Sequence, residues 1–254
     1  MKTVVALSVL ALCAAAAVAQ TPPSNYEPSF GQEGKDVVWV PTASPLVEKM
    51  LDMARVTPKD FVMDLGSGDG RTVIAAAQRG ARALGIEYNA DMVALSRTRA
   101  KAAGVEARAE FRNADLFDTD LSQATVITMF LLPTINVKLR PTILKLKPGT
   151  RVVSNTFSMD EWEADEIAEM GPDKGCDSWC KALMWIVPAQ AAGTYTLPQG
   201  KLVLKQKFQM LSGTLTRDGT RYVLQGRVRG EEVMFEAGGR DYRGRMSGGK
   251  LILQ

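Results

Sequence analysis

Histidine is absent from the 254 residues, and the chain has only three cysteines. Histidine is the commonest general base and metal ligand, so its absence argues against Ser-His-Asp and Cys-His catalysis and against ordinary zinc sites. The formal net charge is only +3, which is no strong signal for nucleic-acid binding. The chain is 46% hydrophobic and 23% charged, which is typical of a globular protein with one large or two small domains.

One long apolar run, from Val4 to Val18, follows Lys2 and overlaps the small-residue pattern Ala17 to Ala19. We interpret residues 1–19 as a secretory signal peptide, which predicts an exported protein of a bacterial periplasm with no transmembrane span in the mature chain. The alternative is an uncleaved N-terminal membrane anchor that leaves the rest of the chain in the cytoplasm. The run is shorter than the roughly 20 residues that a span prefers.

Two cysteines, Cys176 and Cys180, lie beyond that segment, four residues apart. An oxidising compartment would permit a disulfide between them, but two free thiols are equally compatible with the sequence, which cannot supply the Cα separation. Two thiolates without histidine leave most of a zinc coordination sphere unfilled. We therefore expect no metal site.

The most informative motif begins with Phe61-Val62-Met63, an apolar run that predicts a buried parallel strand ending at Asp64. Glycines follow at alternate positions, where they let the backbone turn tightly and approach a ligand closely: Gly66, Gly68 and Gly70. The pattern predicts a nucleotide-type ligand at the end of the strand.

A helix is predicted from Arg71 to Arg79, with its N-terminus directed at the ligand, and Gly80 ends it. The next apolar run ends in Glu87, whose carboxylate could accept both hydroxyls of a ribose. A dinucleotide fingerprint would read G-x-G-x-x-G. Here the glycines read G-x-G-x-G and an acid precedes them by two residues. This spacing resembles the D/E-x-G-x-G-x-G loop of class I methyltransferases, which favours S-adenosylmethionine (SAM).

Strands and helices continue to alternate beyond this motif. Asn89 can cap a helix from Ala90 to Ala103, and Asp115 falls where a third strand would end. Further strands are predicted at the following ranges: 107–112, 124–132, 151–157, 166–170 and 182–187. Helices are predicted over 46–54 and over 135–147. This order indicates an α/β, Rossmann-like, mostly parallel seven-stranded sheet that ends in an antiparallel hairpin.

The end of the chain has a different pattern, with short apolar runs separated by frequent glycines. It predicts a small antiparallel β unit over 193–254. Its Arg and Lys residues could meet an anionic partner or form a solvated face. The predicted organisation is a signal peptide (1–19), a flexible arm (20–35), a methyltransferase domain (36–190) and the β unit.

About half of the chain, Val40 to roughly Trp162, resembles the mitochondrial protein-lysine methyltransferases of the ATP synthase c subunit and the adenine nucleotide translocase, with their exported bacterial relatives. The likeness rests on the following motifs: Val40-Pro41-Thr42, Asp64 to Arg71, Gly85 to Asn89, Ser96-Arg97, Asp115-Leu116-Phe117 and Arg151 to Ser154 with Phe157 and Trp162. The lysine-methylating relatives lack the C-terminal β unit.

The resemblance implies a class I methyltransferase with SAM as cofactor. Asp64 and the three glycines would flank the methionine end of SAM, Glu87 would hold the ribose and Asp115 would face the adenine. The full predicted cofactor site is Asp64, Gly66, Ser67, Gly68, Gly70, Glu87, Asn89 and Asp115. No catalytic residue is predicted.

The methyl acceptor stays unidentified at this level, a protein lysine being one candidate. The Asn-Pro-Pro-Tyr motif of amide or base-nitrogen acceptors is absent, and the fourth strand ends instead in Met129 to Pro133. We predict that this stretch forms the acceptor channel with Trp39 and Pro41. Because SAM is not expected to be generally supplied outside the cytoplasm, a non-catalytic SAM-fold binding protein of the cell envelope is the alternative.

Overall fold

A mixed seven-stranded sheet forms the centre of the first part of the chain in the computed structural model, which describes residues 26–253. Its strands are β1 (Phe61–Leu65), β2 (Arg82–Glu87), β3 (Ala109–Asn113), β4 (Val126–Met129), β5 (Arg151–Asn155), β6 (Glu166–Glu169) and β7 (Lys181–Ile186). The strand order is β3-β2-β1-β4-β5-β7-β6. The first five are parallel, and β7 is antiparallel to both β5 and β6.

Helices cover both faces of this mixed sheet. They are α1 (Ser44–Met53), α2 (Arg71–Gln78), α3 (Ala90–Ala102) and α4 (Pro133–Ile143), with a short 3-10 helix at Pro172–Lys174. One buried cluster joins Val62 to side chains of the first three helices, and the other joins Met63 and Leu65 to α4. The apolar run at β1 is therefore continuous because successive side chains enter two different cores.

The order in which the chain adds strands to the sheet reverses between β1 and β4. From β1 the chain proceeds to β2 and β3 on one side, and it then crosses to β4 and β5 on the other. At such a switch point the connecting loops separate and leave a crevice beyond the carboxyl ends of the strands. The glycine-rich loop follows β1 directly, so the fold places it in this crevice.

A second, separate sheet of seven antiparallel strands follows. Its strands are β8 (Gly193–Leu197), β9 (Gly200–Lys207), β10 (Met210–Arg217), β11 (Thr220–Arg229), β12 (Glu232–Ala237), β13 (Arg240–Ser247) and β14 (Lys250–Leu253). Each strand pairs with its neighbour in the chain, and the sheet has its own buried cluster. The C-terminal β unit, which was predicted to be small, therefore has as many strands as the first sheet.

The C-terminal sheet is attached to the first part by both apolar and charged contacts. Phe208, in the turn between β9 and β10, stacks on the buried Trp162 with ring centroids 6.0 Å apart. The Gln209 amide donates a hydrogen bond of 2.8 Å to the carbonyl of Glu163. Arg227 donates to the carboxylate of Asp165, whose side chain is 1% exposed. Several basic residues of the sheet are thus paired with acids.

Some predicted boundaries differ from the structure at α4. The strand predicted over 124–132 ends at Met129, and the next helix begins at Pro133 and ends at Ile143. Proline suits a first helical position because its fixed φ is helical and the missing N–H would be unpaired there. The predicted signal peptide and residues 20–25 lie outside the described residues. Between residues 26 and 253, no helix is long and apolar enough to cross a bilayer.

Candidate cofactor site

A crevice with about 1030 Å³ of empty space, part of it open to solvent, lies at the carboxyl ends of β1, β2 and β4. Seven of the eight predicted cofactor residues line it: Asp64, Gly66, Ser67, Gly68, Glu87, Asn89 and Asp115. Gly70, the eighth, does not line the crevice and instead precedes the first residue of α2.

The glycine loop requires glycine for two separate reasons. Gly66, Gly68 and Gly70 all have positive φ, at 74°, 51° and 82°, which L-residues seldom adopt. A Cβ at Gly70 would also lie 2.8 Å from atoms of Ser96 and Phe111. The loop thus turns within a tightly packed site and exposes its backbone to the crevice.

The Glu87 carboxylate is fixed by two backbone groups. Oε2 accepts a hydrogen bond of 2.9 Å from the N–H of Gly68, and Oε1 accepts one of 2.9 Å from the N–H of Asn89. A carboxylate oxygen can accept two hydrogen bonds. Each oxygen therefore keeps a lone pair, which is the arrangement that two ribose hydroxyls require.

Asp64 is a buried acid, 6% exposed. Its pKa is raised to about 7, mainly by burial and further by the charges of Glu87 and Asp69. A hydrogen bond from Thr128 acts in the opposite direction and lowers the pKa. Thr128 Oγ1 donates to Asp64 Oδ1 at 2.7 Å. A cationic ligand would stabilise the carboxylate form. The sequence signal for this partner was a single threonine within the otherwise apolar strand β4.

Ser67 supplies a further indication that a polar ligand fits here. Its Oγ is buried and has no hydrogen-bond partner among residues 26–253. Buried hydroxyls without a partner are uncommon in folded proteins, since leaving one unsatisfied costs free energy. Together with the lone pairs of Glu87 and the acid at Asp64, it makes the crevice suited to a polar, cationic nucleoside.

The carboxylate of Asp115 lies at the other end of the crevice and is engaged by Lys35. That hydrogen bond, with one of 2.8 Å from the N–H of Phe117, holds the pKa of Asp115 below its ordinary value. The Lys35 ammonium also lies 4.7 Å from the ring centroid of Tyr88. The sequence interpretation missed Lys35 and Tyr88, because the first falls in the expected flexible arm and the second is an exposed aromatic residue.

Asn89 has an evident local role. Its Oδ1 accepts hydrogen bonds from the N–H groups of Asp91, at 2.9 Å, and Met92, at 3.2 Å, and so caps the N-terminus of α3. The side chain still lines the crevice. Its assignment as a cofactor-binding residue stays a prediction.

An ion-pair group beside the loop was also missed. Arg71 donates to both oxygens of Asp69, at 3.0 and 2.7 Å, and Arg99 donates to the same carboxylate. Burial raises the pKa of Asp69, but the hydrogen bonds and charges of Arg71 and the charge of Arg99 outweigh it and place the pKa below the ordinary value. Arg71 also donates to the carbonyl of Thr42 at 2.9 Å. The loop is thereby connected to the residues that precede α1.

The residues before α1, here called the leading segment (26–42), lie against the crevice. Backbone hydrogen bonds of 2.9 and 2.8 Å pair Gly31 and Gln32 with Trp39, and the Trp39 indole packs on Gly68. Trp39 and Pro41 line the crevice, as the acceptor-channel prediction requires.

Three of the five residues predicted at the end of β4 also line the crevice. Met129, Phe130 and Leu131 line the crevice, whereas Leu132 and Pro133 do not. Leu132 is 42% exposed, because the chain leaves β4 there and turns into α4. The apolar end of the crevice therefore consists of β4-terminal side chains and the leading segment.

Comparison with known proteins indicates the class of protein to which this chain belongs. A family model described as the ANTKMT methyltransferase domain matches residues 64–166. The protein-lysine N-methyltransferase of Saccharolobus islandicus is 41% identical over 137 residues, which are 53% of this chain and 85% of the relative. The ATP synthase c-subunit lysine N-methyltransferase of Mus musculus is 38% identical over 136 residues, 53% of this chain and 55% of that protein.

One solved structure shares both the fold and considerable sequence. The RNA methyltransferase of Salinibacter ruber, in complex with S-adenosyl-L-homocysteine, has a TM-score of 0.55 and 45% identity. The match covers 59% of this chain and 95% of that chain. The β8–β14 sheet lies outside residues 64–166, which match the family model.

The fold and the crevice define a SAM-dependent methyltransferase, and SAM is its cofactor. The chain belongs to the same methyltransferase family as the Saccharolobus islandicus relative, and its residues 64–166 match the ANTKMT methyltransferase domain. The predicted family and cofactor are thus confirmed. Because the matched proteins are named as methyltransferases, the comparisons give no support to a non-catalytic binding protein.

Proposed function

We propose that this protein transfers a methyl group from SAM to a lysine side chain of another protein. The observation that carries this proposal is the match to the Saccharolobus islandicus protein-lysine N-methyltransferase, which extends over most of that relative. The mouse relative, of which the match spans just over half, is also named for lysine methylation. A lysine acceptor therefore agrees with both relatives.

We further propose that the eight predicted residues divide the binding of SAM among them. Glu87 would accept the ribose hydroxyls with its free lone pairs, and Asp115 would face the adenine once Lys35 moves aside. Asp64 and the loop from Gly66 to Gly70 would surround the cationic methionine end. When bound, SAM supplies an electrophilic methyl group on a sulfonium centre.

The apolar end of the crevice would prepare the acceptor. A lysine has an ordinary pKa of about 10.4 and must lose its proton before it can attack a methyl group. Burial against Met129, Phe130 and Leu131 would exclude water and lower that pKa, because desolvation disfavours the ammonium. The same residues would hold the amine in line with the methyl group.

An RNA acceptor is the second candidate, because the Salinibacter ruber structure is described as an RNA methyltransferase. RNA binding depends on cationic side chains that neutralise phosphates. The leading segment instead places Glu33 and Asp36 on the crevice, and its Lys35 is paired with Asp115. The charges beside the site therefore favour a cationic acceptor over a phosphate backbone.

Methyl transfer from radiolabelled SAM tests the acceptor directly. The purified chain is incubated with synthetic peptides that contain one lysine, with the same peptides carrying arginine instead, and with single-stranded RNA. We expect label only in the lysine peptides, with Glu87→Gln as a cofactor-binding control. Label in RNA alone would overturn the proposal.

We also propose that the mature protein is exported, as the sequence of residues 1–19 suggests. The disulfide between Cys176 and Cys180 supports this, because disulfides persist in oxidising compartments. Fractionation of the producing cells, with determination of the N-terminal residue, tests the proposal. A chain that retains Met1 in the cytoplasmic fraction would contradict it.

A further inference from the structure

Four aromatic side chains, here called the aromatic row, connect the crevice to the protein surface. Phe130 lines the crevice, and its ring centroid lies 6.0 Å from that of Phe157 and 6.3 Å from that of Trp179. Trp179 lies 6.4 Å from Phe30 of the leading segment. These separations fall within the range of favourable aromatic pairs. Phe30 and Trp179 remain 68% and 41% exposed, so the outer end of the row is open to a ligand.

The position of Trp179 is imposed by its loop. Cys176 is buried in the hydrophobic cluster beside α1, and the disulfide joins it to Cys180 with a Cα–Cα distance of 5.7 Å. Trp179 lies between these two fixed points and has a φ of 51°. A bulky residue rarely adopts this left-handed conformation, and such conformations persist only where the surroundings enforce them. The covalent loop therefore contributes directly to where the indole is presented.

Acidic residues lie at the crevice and in the disulfide loop. Glu33 and Asp36 of the leading segment line the crevice, and Asp177 lies in the disulfide loop two residues before Trp179. Carboxylates and aromatic rings along one path suit a cation on an aliphatic stem. The methylenes can pack on the rings, while the cation is attracted to the ring faces and to the carboxylates. A phosphate backbone would be repelled by the same acids.

We propose that Trp179, with Phe30 and Phe130, binds the lysine side chain of the acceptor protein and that the Cys176–Cys180 disulfide holds Trp179 in position. This inference rests on the proposed lysine methylation and adds the residues that select the acceptor. Phe30 and Trp179 both lie outside the region of the chain that matches the family model, residues 64–166. Phe130 lies within that region.

The test measures the KM for lysine peptides and the Kd for SAM separately, using the full chain. Trp179→Ala should raise the peptide KM about five- to thirty-fold, as expected for losing a cation–aromatic contact, and should leave the Kd for SAM unchanged. Trp179→Phe should retain most of the affinity. Ile252→Ala, which truncates an exposed apolar residue on β14, is the matched control and should change neither constant.

The disulfide is tested with the same two readouts. Dithiothreitol should raise the peptide KM of the wild type, and the double variant Cys176→Ser/Cys180→Ser should show the raised KM without any response to dithiothreitol. If Trp179→Ala loses SAM binding as well, Phe30→Ala takes its place and should raise the peptide KM alone.

The outcomes separate this inference from the proposed function. If Trp179→Ala methylates lysine peptides with an unchanged KM, the inference is overturned and lysine methylation still stands. The same holds for Phe30→Ala where that variant replaces it. Methylation of RNA with no lysine peptide labelled would overturn the proposed function, and the inference with it. A raised KM that is specific to peptide supports both.

Discussion

SAM binding should become tighter as the pH rises through about 7, because Asp64 must be ionised to stabilise a cationic ligand. Burial raises the pKa of this carboxyl to about 7 in the ligand-free protein. At about pH 6 roughly a tenth of the molecules would carry the carboxylate, and at about pH 8 roughly nine tenths. If SAM binds the ionised form, its affinity should increase about tenfold over this interval.

Isothermal titration calorimetry at several pH values measures this dependence. The α-amino group of SAM itself titrates near pH 8, so the wild type is compared with Asp64→Asn, in which the ligand titrates and residue 64 does not. The difference between the two profiles isolates Asp64. A wild-type profile that runs parallel to that of the variant would refute the reasoning.

Ionisation of the same carboxyl, which should strengthen SAM binding, should lower the stability of the ligand-free protein. Its folded-state pKa, about 7, lies above its ordinary value of 3.8, so the folded state binds the proton more tightly than the unfolded state. The free energy of unfolding should therefore decrease as the pH rises from about 4 to about 7 through this group. Asp64→Asn should remove that part of the pH dependence, as measured by chemical denaturation.

Three further variants test the site and its scaffold. Glu87→Gln should weaken SAM binding about 10- to 100-fold in calorimetry, because it removes the charge behind two backbone hydrogen bonds and behind the proposed ribose contacts. Gly70→Ala should lower the free energy of unfolding by about 2–4 kcal/mol, because it combines a φ of 82° with a Cβ contact of 2.8 Å. Arg227→Ala should cost about 1–3 kcal/mol in denaturation experiments, because Asp165 would stay buried without its partner.

Each of these variants has a matched control. Glu110→Gln removes an exposed carboxylate on β3 and should leave SAM binding unchanged. Gly104→Ala places a Cβ at a φ of 68° in open space, so it should cost only about 1 kcal/mol. Arg245→Ala breaks an exposed ion pair with Glu231 and should cost less than about 1 kcal/mol. Equal effects within any pair would contradict the structural explanation for that pair.

The position of the glycine loop at the edge of the sheet was predictable because its determinants are close together in the chain. A strand, an acid, three glycines, a helix and a second acid all fall between Phe61 and Glu87, and the parallel pairing of β1 with β2 places both acids at the same edge. Strand ends were less predictable. The apolar run 124–132 continues past the end of β4, because Phe130 and Leu131 lie beyond the sheet and line the crevice.

Contacts between distant residues could not be read from local patterns. Lys35 and Asp115 are 80 positions apart, and Thr128 lies 64 positions from Asp64. Residues 26–35 had the composition of a flexible arm, yet in the structure they contribute Lys35 to the crevice and Phe30 to the aromatic row. The composition of a segment indicates only how much apolar surface the segment can bury by itself. This segment is instead held in place by the surface on which it lies, which its composition does not reveal.

The sequence by itself determined the family, the cofactor and the α/β order of elements, because glycine spacing and strand-terminal acids act over a few residues. Only the tertiary structure decided how the site is completed. It joined Cys176 to Cys180, placed Trp179 next to Phe130 and attached the C-terminal sheet through Phe208 and Trp162. These features depend on packing between segments far apart in the chain, for which no local spacing rule exists.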